Sequence, residues 1–194
     1  MSIDKKLYDE FGREVYRNKW DQDGNDARVG YKAEDLFAAS ALRTYKDLGP
    51  ATEDENINDH IDFKCSKLGG IDVKAKKQSF DEGLIWIEFK NVAGDNGWLY
   101  GRANYIAFEW DDHFRLVRLI DLQVKVHDLT KKAKYVNHKS KALYNYYDRS
   151  KWGNKDLLTQ VTAMDIWWIT EHVIPFCNQL ELDNYRERTF KRKY

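Results

Sequence analysis

The chain has 194 residues, 42% hydrophobic and 33% charged, with only 2 Pro and 11 Gly. That is long enough to bury a core in a single domain, and too poor in Pro and Gly for a disordered linker protein. Basic and acidic residues balance at 32 each, so the net charge is zero, which argues against a generic basic coat for nucleic acid.

No stretch is apolar and long enough to span a bilayer. The opening "MSIDKKLYDEF" lacks the apolar run of a secretory signal, and the two cysteines, Cys65 and Cys177, give neither a disulfide framework nor zinc spacing. A cytoplasmic, reducing setting and no membrane partner are expected. The 28 aromatic residues (7 Trp, 12 Tyr, 9 Phe) predict a ring-rich core.

Taken in order, Leu7, Phe11 and Val15 recur every four residues and predict a helix over about 2–19, capped by Ser2 or Asp4. A polar loop "WDQDGNDARVG" leads to a second helix over about 31–48. Its apolar side is Leu36, Ala39, Leu42 and Tyr45, and Gly49-Pro50 is its stop signal. "ATEDENINDH" reads as a polar connection. Three strand-like segments follow, "HIDFKCS", "GGIDVKAKKQ" and "LIWIEFKNV", with turns at Gly69-Gly70 and "SFDEG". A Gly-rich turn leads into the strand "ANYIAFEW", hairpinned through Asp111-Asp112 to "HFRLVRLIDLQ". Helices are predicted over about 121–134 and about 156–180, the latter apolar on most of its circumference and so buried. The order of elements predicts an α/β (α+β) fold: a central mixed sheet flanked by helices, with a long C-terminal helix. The whole chain is read as one domain, with a core over about 30–120 and a helical part over about 121–194.

Acid-x-Lys pairs occur four times: Asp4/Lys6, Asp62/Lys64, Asp72/Lys74 and Glu88/Lys90. About that number arises by chance, so the count carries nothing. Their placement does, because three of the four fall on successive strand segments directly after a helix bearing Glu34. Phosphodiester hydrolysis with Mg²⁺ needs hard oxygen ligands, often one or two carboxylates plus the substrate phosphate. The metal polarises the phosphate and lowers the pKa of a bound water. A lysine beside that water orients it and stabilises developing charge. Asp62 and Asp72, on the polar faces of neighbouring strands about 4.8 Å apart, meet the first need, and Lys74 meets the second. Glu34, on a helix face with the small residues Ala38 and Ala41, can be aimed at the metal or its water.

Trp98, Tyr100 and Arg102 follow the third strand and offer a ring to a base or sugar and a cation to a phosphate. Lys76, Lys77 and Gln78 extend the Lys74 strand toward a backbone. Arg149 and Lys151 are a further phosphate contact, and the basic tail holds Arg186, Arg188, Lys191, Arg192 and Lys193. The bland alternatives are a core Trp98, a solvent-facing Glu34 beside Asp35, and basic runs that are solvated surface. Of the five histidines, only His60 shares a face with Asp62, and none has paired metal spacing.

The pattern of a helical Glu34, then "NDHID" ending on Asp62, then "IDVK" with Asp72 and Lys74, resembles the PD-(D/E)XK nuclease superfamily over about 30–109. "WIEFKNVAGDNGWLYGRANYIAFE" looks like its phage-type members. The resemblance implies a restriction-endonuclease-like core and a metal-dependent DNA endonuclease of prokaryotic or phage origin. It implies Mg²⁺ (or Mn²⁺) on Asp62, Asp72 and the Val73 carbonyl, with Glu34 as an outer ligand through water. Lys74 would be the catalytic lysine and Glu88 an accessory ligand. The first acid here follows Ile61 rather than Pro. Two alternatives stay open: Asp72 as first acid with Glu88-x-Lys90, or Asp59 as first acid. Rival functions are a Holliday-junction resolvase or recombination nuclease, which would act as a homodimer, and a non-catalytic nucleic-acid-binding protein on the same fold.

Overall fold

A computed structural model of the chain describes residues 6–15, 21–150 and 153–190. Helix α1 (Asn25–Ala41) starts where the Asp21 carboxylate accepts from the backbone N–H groups of Asn25, Asp26 and Ala27, capping three orphan donors. This cap begins the helix six residues before the expected start. The helix ends at Ala41 because the N–H groups of Thr44 and Tyr45 both turn back to the Ala41 carbonyl. Ala33, Phe37, Ala38 and Ala41 are buried at helical spacing, and the three alanines let α1 lie close against the sheet.

The expected polar connection after it contains β3 (Gly49–Pro50) and a short helix, α2 (Glu53–Asp59). Thr52 and Glu55 form a reciprocal capping box, a signal legible in "TEDE". Strands β4 (Phe63–Cys65) and β5 (Gly69–Lys74) follow. The chain reverses over residues 66–68 and enters β5 through Gly69 at φ +72. A Cβ there would also meet Asn104 Oδ1 at 2.3 Å, the atom that accepts from Gly70 N.

Next come β6 (Leu84–Lys90), β7 (Tyr105–Glu109), β8 (His113–Arg118) and helix α3 (Leu119–Leu129). Helix α3 starts where β8 was expected to continue and stops well short of residue 134. The rest comprises β9 (Tyr135–Val136), β10 (Tyr146–Asp148), β11 (Leu157–Thr162), α4 (Ala163–Trp168), β12 (His172–Pro175) and α5 (Gln179–Phe190). The long buried helix expected over 156–180 is therefore two strands and a short helix. Alternating, β-branched "LLTQVT" forms β11, a Thr162–Asp165 capping box starts α4, and Pro175 closes β12. Part of the apolar circumference is buried, at Val161, Ile166 and Ile174, and part is exposed, at Met164, Trp167, Trp168 and Val173.

The N-terminal helix is also corrected within the described residues. β1 (Leu7–Tyr8) and β2 (Glu14–Val15) pair antiparallel. The turn between them is held by Asp9, whose carboxylate accepts from the N–H groups of Phe11 and Arg13. The proposed caps Ser2 and Asp4, and Lys151, Lys191, Arg192 and Lys193, lie outside the described residues.

The described strands form two larger sheets. The first runs β12-β8-β7-β5-β4-β3 and is antiparallel except for the β5–β7 pair. The second runs β6-β11-β10-β9. Segments 60–66, 69–78 and 84–92 are therefore not three successive neighbours. β6 leaves the first sheet and pairs with β11. One hydrophobic core lies under α1 and takes Ile71 and Val73. The other lies on the second-sheet side and takes Ile106, Phe108, Ile85 and Ile87. The architecture is α+β, mixed sheets flanked by helices. Among the described residues, no helix is long and apolar enough to cross a membrane.

Candidate active site

Because β5 alternates, Ile71 and Val73 enter the core under α1 while Asp72 and Lys74 project from the opposite face. Lys74 Nζ lies 2.7 Å from Asp72 Oδ1. Asp72 is only 2% exposed, and its other oxygen, Oδ2, is buried without a hydrogen-bond partner.

Asp62 sits in a bend just before β4 rather than within a strand. Its backbone N–H donates to the Ile71 carbonyl at 2.8 Å. Its Oδ2 accepts from Val73 N at 2.6 Å, and its Oδ1 accepts from Asn56 Nδ2 at 2.7 Å. The carboxylate is thus fastened beside Asp72 by one strand and one helix.

Electrostatics tie the remaining acids to the same place. Burial, then the charge of Lys74 opposing it and that of Asp62 reinforcing it, leaves the Asp72 carboxyl pushed up to about 8. Glu34, projecting from α1, is likewise pushed to about 8. Burial is the main cause, Asp62 and Asp35 add to it, and Arg13 and Lys74 work against it. Burial also raises Glu88 on β6, against the opposing charge of Lys74 and the N–H of Trp98. Burial alone would lower the pKa of Lys74, but Asp72 and Asp62 outweigh it and hold the ammonium above its ordinary value. One lysine therefore serves Asp72, Asp62, Glu34 and Glu88.

Trp98 covers this lysine, with Nζ 5.1 Å from its ring centroid. Gly97 permits the approach, since a Cβ there would meet the Glu88 carbonyl oxygen at 2.5 Å and its Cγ at 2.7 Å. A cavity of about 860 Å³ between α1, α2 and α5 reaches Glu34, Asp62 and Asn56 and opens the cluster to solvent.

The residues expected to contact nucleic acid have partners within the chain. Lys76 is held by Asp81 at 2.9 Å and Asp111 at 2.7 Å, and Lys77 reaches Asp26 at 3.5 Å. Trp98 is buried against Phe108 rather than presented to a base. Tyr100 Oη meets His127 Nε2 at 3.3 Å. Arg102 pairs with Asp59, the alternative first acid, at 3.4 Å. Arg149 is tied to buried Asp156 at 3.0 Å. Lys90 ends β6 with an exposed side chain, so Lys74 is the lysine among the acids.

His60 lies within the field of Lys74 and Asp62, and burial lowers its pKa. Glu34's neighbour Asp35 is buried under Arg13, at 2.8 Å, and Arg186, at 3.1 Å. That pairing anchors the β1–β2 hairpin and α5 onto α1. Asn56, Trp98 as a lid, and the Arg13–Asp35–Arg186 cluster were not anticipated. Of these only Asn56 had a signal, since the capping box places it one turn into a helix ahead of Asp62.

Among the described residues no three His, Cys, Asp or Glu side chains are already arranged around one point as metal ligands. The donor chemistry nevertheless suits a hard divalent cation: closely placed carboxylates, an orphaned buried oxygen on Asp72, and more negative than positive charge. Compared with known proteins, the chain matches no family model, and neither a curated protein nor a solved structure matches it.

Proposed function

We propose that the protein is a metal-dependent DNA endonuclease with a restriction-endonuclease-like core. The observation that carries this reading is Asp62 fastened to the backbone of β5 beside the Asp72–Lys74 pair, with Asp72 Oδ2 buried and unpartnered and Glu34 and Glu88 within the field of Lys74. A buried carboxylate with an unpartnered oxygen, beside a second carboxylate, is a poor arrangement for stability and a good one for capturing Mg²⁺ or Mn²⁺. Asp72 and Asp62 would hold the cation, with the Val73 carbonyl and Glu88 as further donors by resemblance to PD-(D/E)XK nucleases. When bound, the metal polarises a phosphodiester and lowers the pKa of a water.

The chain's own groups do the rest. Lys74, kept charged by Asp72 and Asp62, orients the attacking water and offsets charge growing on the phosphate. Glu34, on α1 at the cavity that reaches Asp62, would take the proton from that water once the cation has lowered its raised pKa. Asn56 keeps Asp62 aimed. Trp98 shields the lysine from solvent, which strengthens each of these interactions.

The test is nicking of supercoiled plasmid with Mg²⁺ or Mn²⁺ by wild type, Asp72→Ala and Lys74→Ala, each first checked for folding. Metal-dependent nicking lost in both variants is expected, and Glu88→Ala against Asp62→Ala then ranks the ligands. A wild type inert on plasmid, branched and single-stranded DNA, or an Asp72→Ala variant that still cuts, overturns the proposal.

A further inference from the structure

We infer that the loop after α3 is a docking surface for the phosphate backbone of duplex DNA, formed by Lys131, Lys132, Lys134, Lys139 and Lys141. The inference rests on the nuclease reading for the choice of DNA among polyanions, and on charge and packing for the rest.

Residues 131–141 read "KKAKYVNHKSK", five lysines and no acid. Taking these five from the chain's 32 basic residues leaves 27 against 32 acidic ones, so the neutral total conceals a polarised surface. All five lysines are exposed, and none makes an ion pair or a side-chain hydrogen bond among the described residues. Lys6, Lys64 and Arg118, also at the surface, each lie against an acid.

The fold gathers the five together. The Thr130 N–H and hydroxyl both donate to the Val126 carbonyl and end α3, and the Ala133 N–H donates to the Thr130 carbonyl, which coils Lys131 and Lys132 into a turn. Asn145 closes the loop that follows. Its Oδ1 accepts from the Lys134 N–H at 3.0 Å, and its Nδ2 donates to the Lys141 carbonyl at 3.1 Å. One side chain thus returns Lys141 beside Lys134, with Lys139 in the 3₁₀ turn just before it. Between them β9 is the outer strand of the second sheet. Shielding that edge would use Lys134, which abuts the strand, but not the other four.

The occupant follows from the chemistry. Ammonium groups are point charges without the planar fork that reads a base edge or a single carboxylate, so the surface recognises charge density. A membrane-surface segment would also present several apolar side chains for insertion, and here Tyr135 is the one exposed ring while Val136 is half-buried. A protein partner would be expected to find aromatic or Arg anchors in a desolvated centre, and these lysines stand in solvent. Duplex DNA carries one charge per about 1.7 Å of axis, and neutralising several phosphates releases the most counterions. The patch supplies the electrostatic hold that the paired cations near Lys74 do not.

The test is fluorescence anisotropy with a labelled duplex of about 20 base pairs, in EDTA so that no cleavage intervenes, from about 50 to 200 mM salt. Wild type should bind two unrelated sequences alike, with affinity falling as at least about the third power of salt. Lys131→Ala/Lys134→Ala/Lys139→Ala, all at exposed positions, should weaken binding by at least about tenfold and lower that power by about three. Lys6→Ala/Lys64→Ala/Arg118→Ala, which removes the same charge from ion-paired positions, should stay within about twofold of wild type. An unchanged salt dependence in the patch variant, or an equal loss in the ion-paired one, overturns the surface. So does patch-dependent binding to phosphatidylserine vesicles by a protein that ignores the duplex. Because the readout is metal-free, patch-dependent binding by a protein that never cuts keeps the surface and removes the nuclease. Cutting with patch-independent binding does the reverse.

Discussion

Replacing Asp72 by Asn should make the metal-free protein more stable while abolishing cleavage. The carboxyl is pushed from its ordinary 3.8 to about 8 by burial first, with Asp62 adding to it and Lys74 opposing. A group whose folded pKa is raised is bound to its proton more tightly in the native state. Its contribution is intact below about pH 4 and is lost steadily as pH rises through about 8. A shift of four units sets a ceiling of about 5 kcal/mol, at about 1.4 kcal/mol per unit. Relaxation, water entry and the loss of the nearest carboxylate to the Lys74 ammonium all reduce this, and a gain of about 2 kcal/mol at pH 8.5 is expected for Asp72→Asn. The assay is urea denaturation in EDTA at pH 5 and pH 8.5. The variant's advantage should grow between the two, and Mg²⁺ should stabilise wild type but not the variant. An Asp72→Asn protein no more stable than wild type at pH 8.5 would refute the claim that a charged Asp72 burdens the fold.

Other consequences are simpler to check. Burial and Asp62 hold Glu34 up at about 8 in the metal-free protein and a bound cation pulls it down, so cleavage should climb with pH and level below 8, and Glu34→Gln should flatten that profile. Asn56→Ala frees Asp62 Oδ1 and should lower the rate by about tenfold, with a matching loss of metal affinity in calorimetry. Thr52→Ala breaks the α2 capping box and should cost about 1 kcal/mol in denaturation, with a smaller effect on cleavage. Asp35→Asn removes the acceptor shared by Arg13 and Arg186, and should cost about 3 kcal/mol because two guanidinium groups lose their buried partner.

The sequence made some of this legible and hid the rest for identifiable reasons. β5 was readable because its alternation is unbroken and both of its apolar residues are buried, which places Asp72 and Lys74 together on one face. Glu34 could be placed because Ala38 and Ala41 mark the tightly packed side of α1. The segment 156–180 misled because its apolar residues were read as one buried face, whereas Met164, Trp167, Trp168 and Val173 are exposed, and only Pro175 and the Thr162–Asp165 pair mark the breaks. The partner of β6 was hidden because sheet pairing is a long-range choice, and β11 lies some seventy residues further along the chain. The partners of the basic residues were hidden for the same reason. Lys76, Lys77 and Arg102 looked free in one dimension, yet each has an acid waiting in three.

The pairing of β6 with β11 also governs how the molecule can be made. Glu88 stands on a strand whose neighbour is not synthesised until residue 162, and the first sheet is not closed until β12 ends at Pro175. A chain stopped near residue 120 would already contain Glu34, Asp62, Asp72, Lys74 and Glu88, but not the wall that carries Glu88 in place. The growing chain therefore carries its full set of acids through more than seventy further residues before β11 can hold Glu88 in place, and the assembled cluster arrives late.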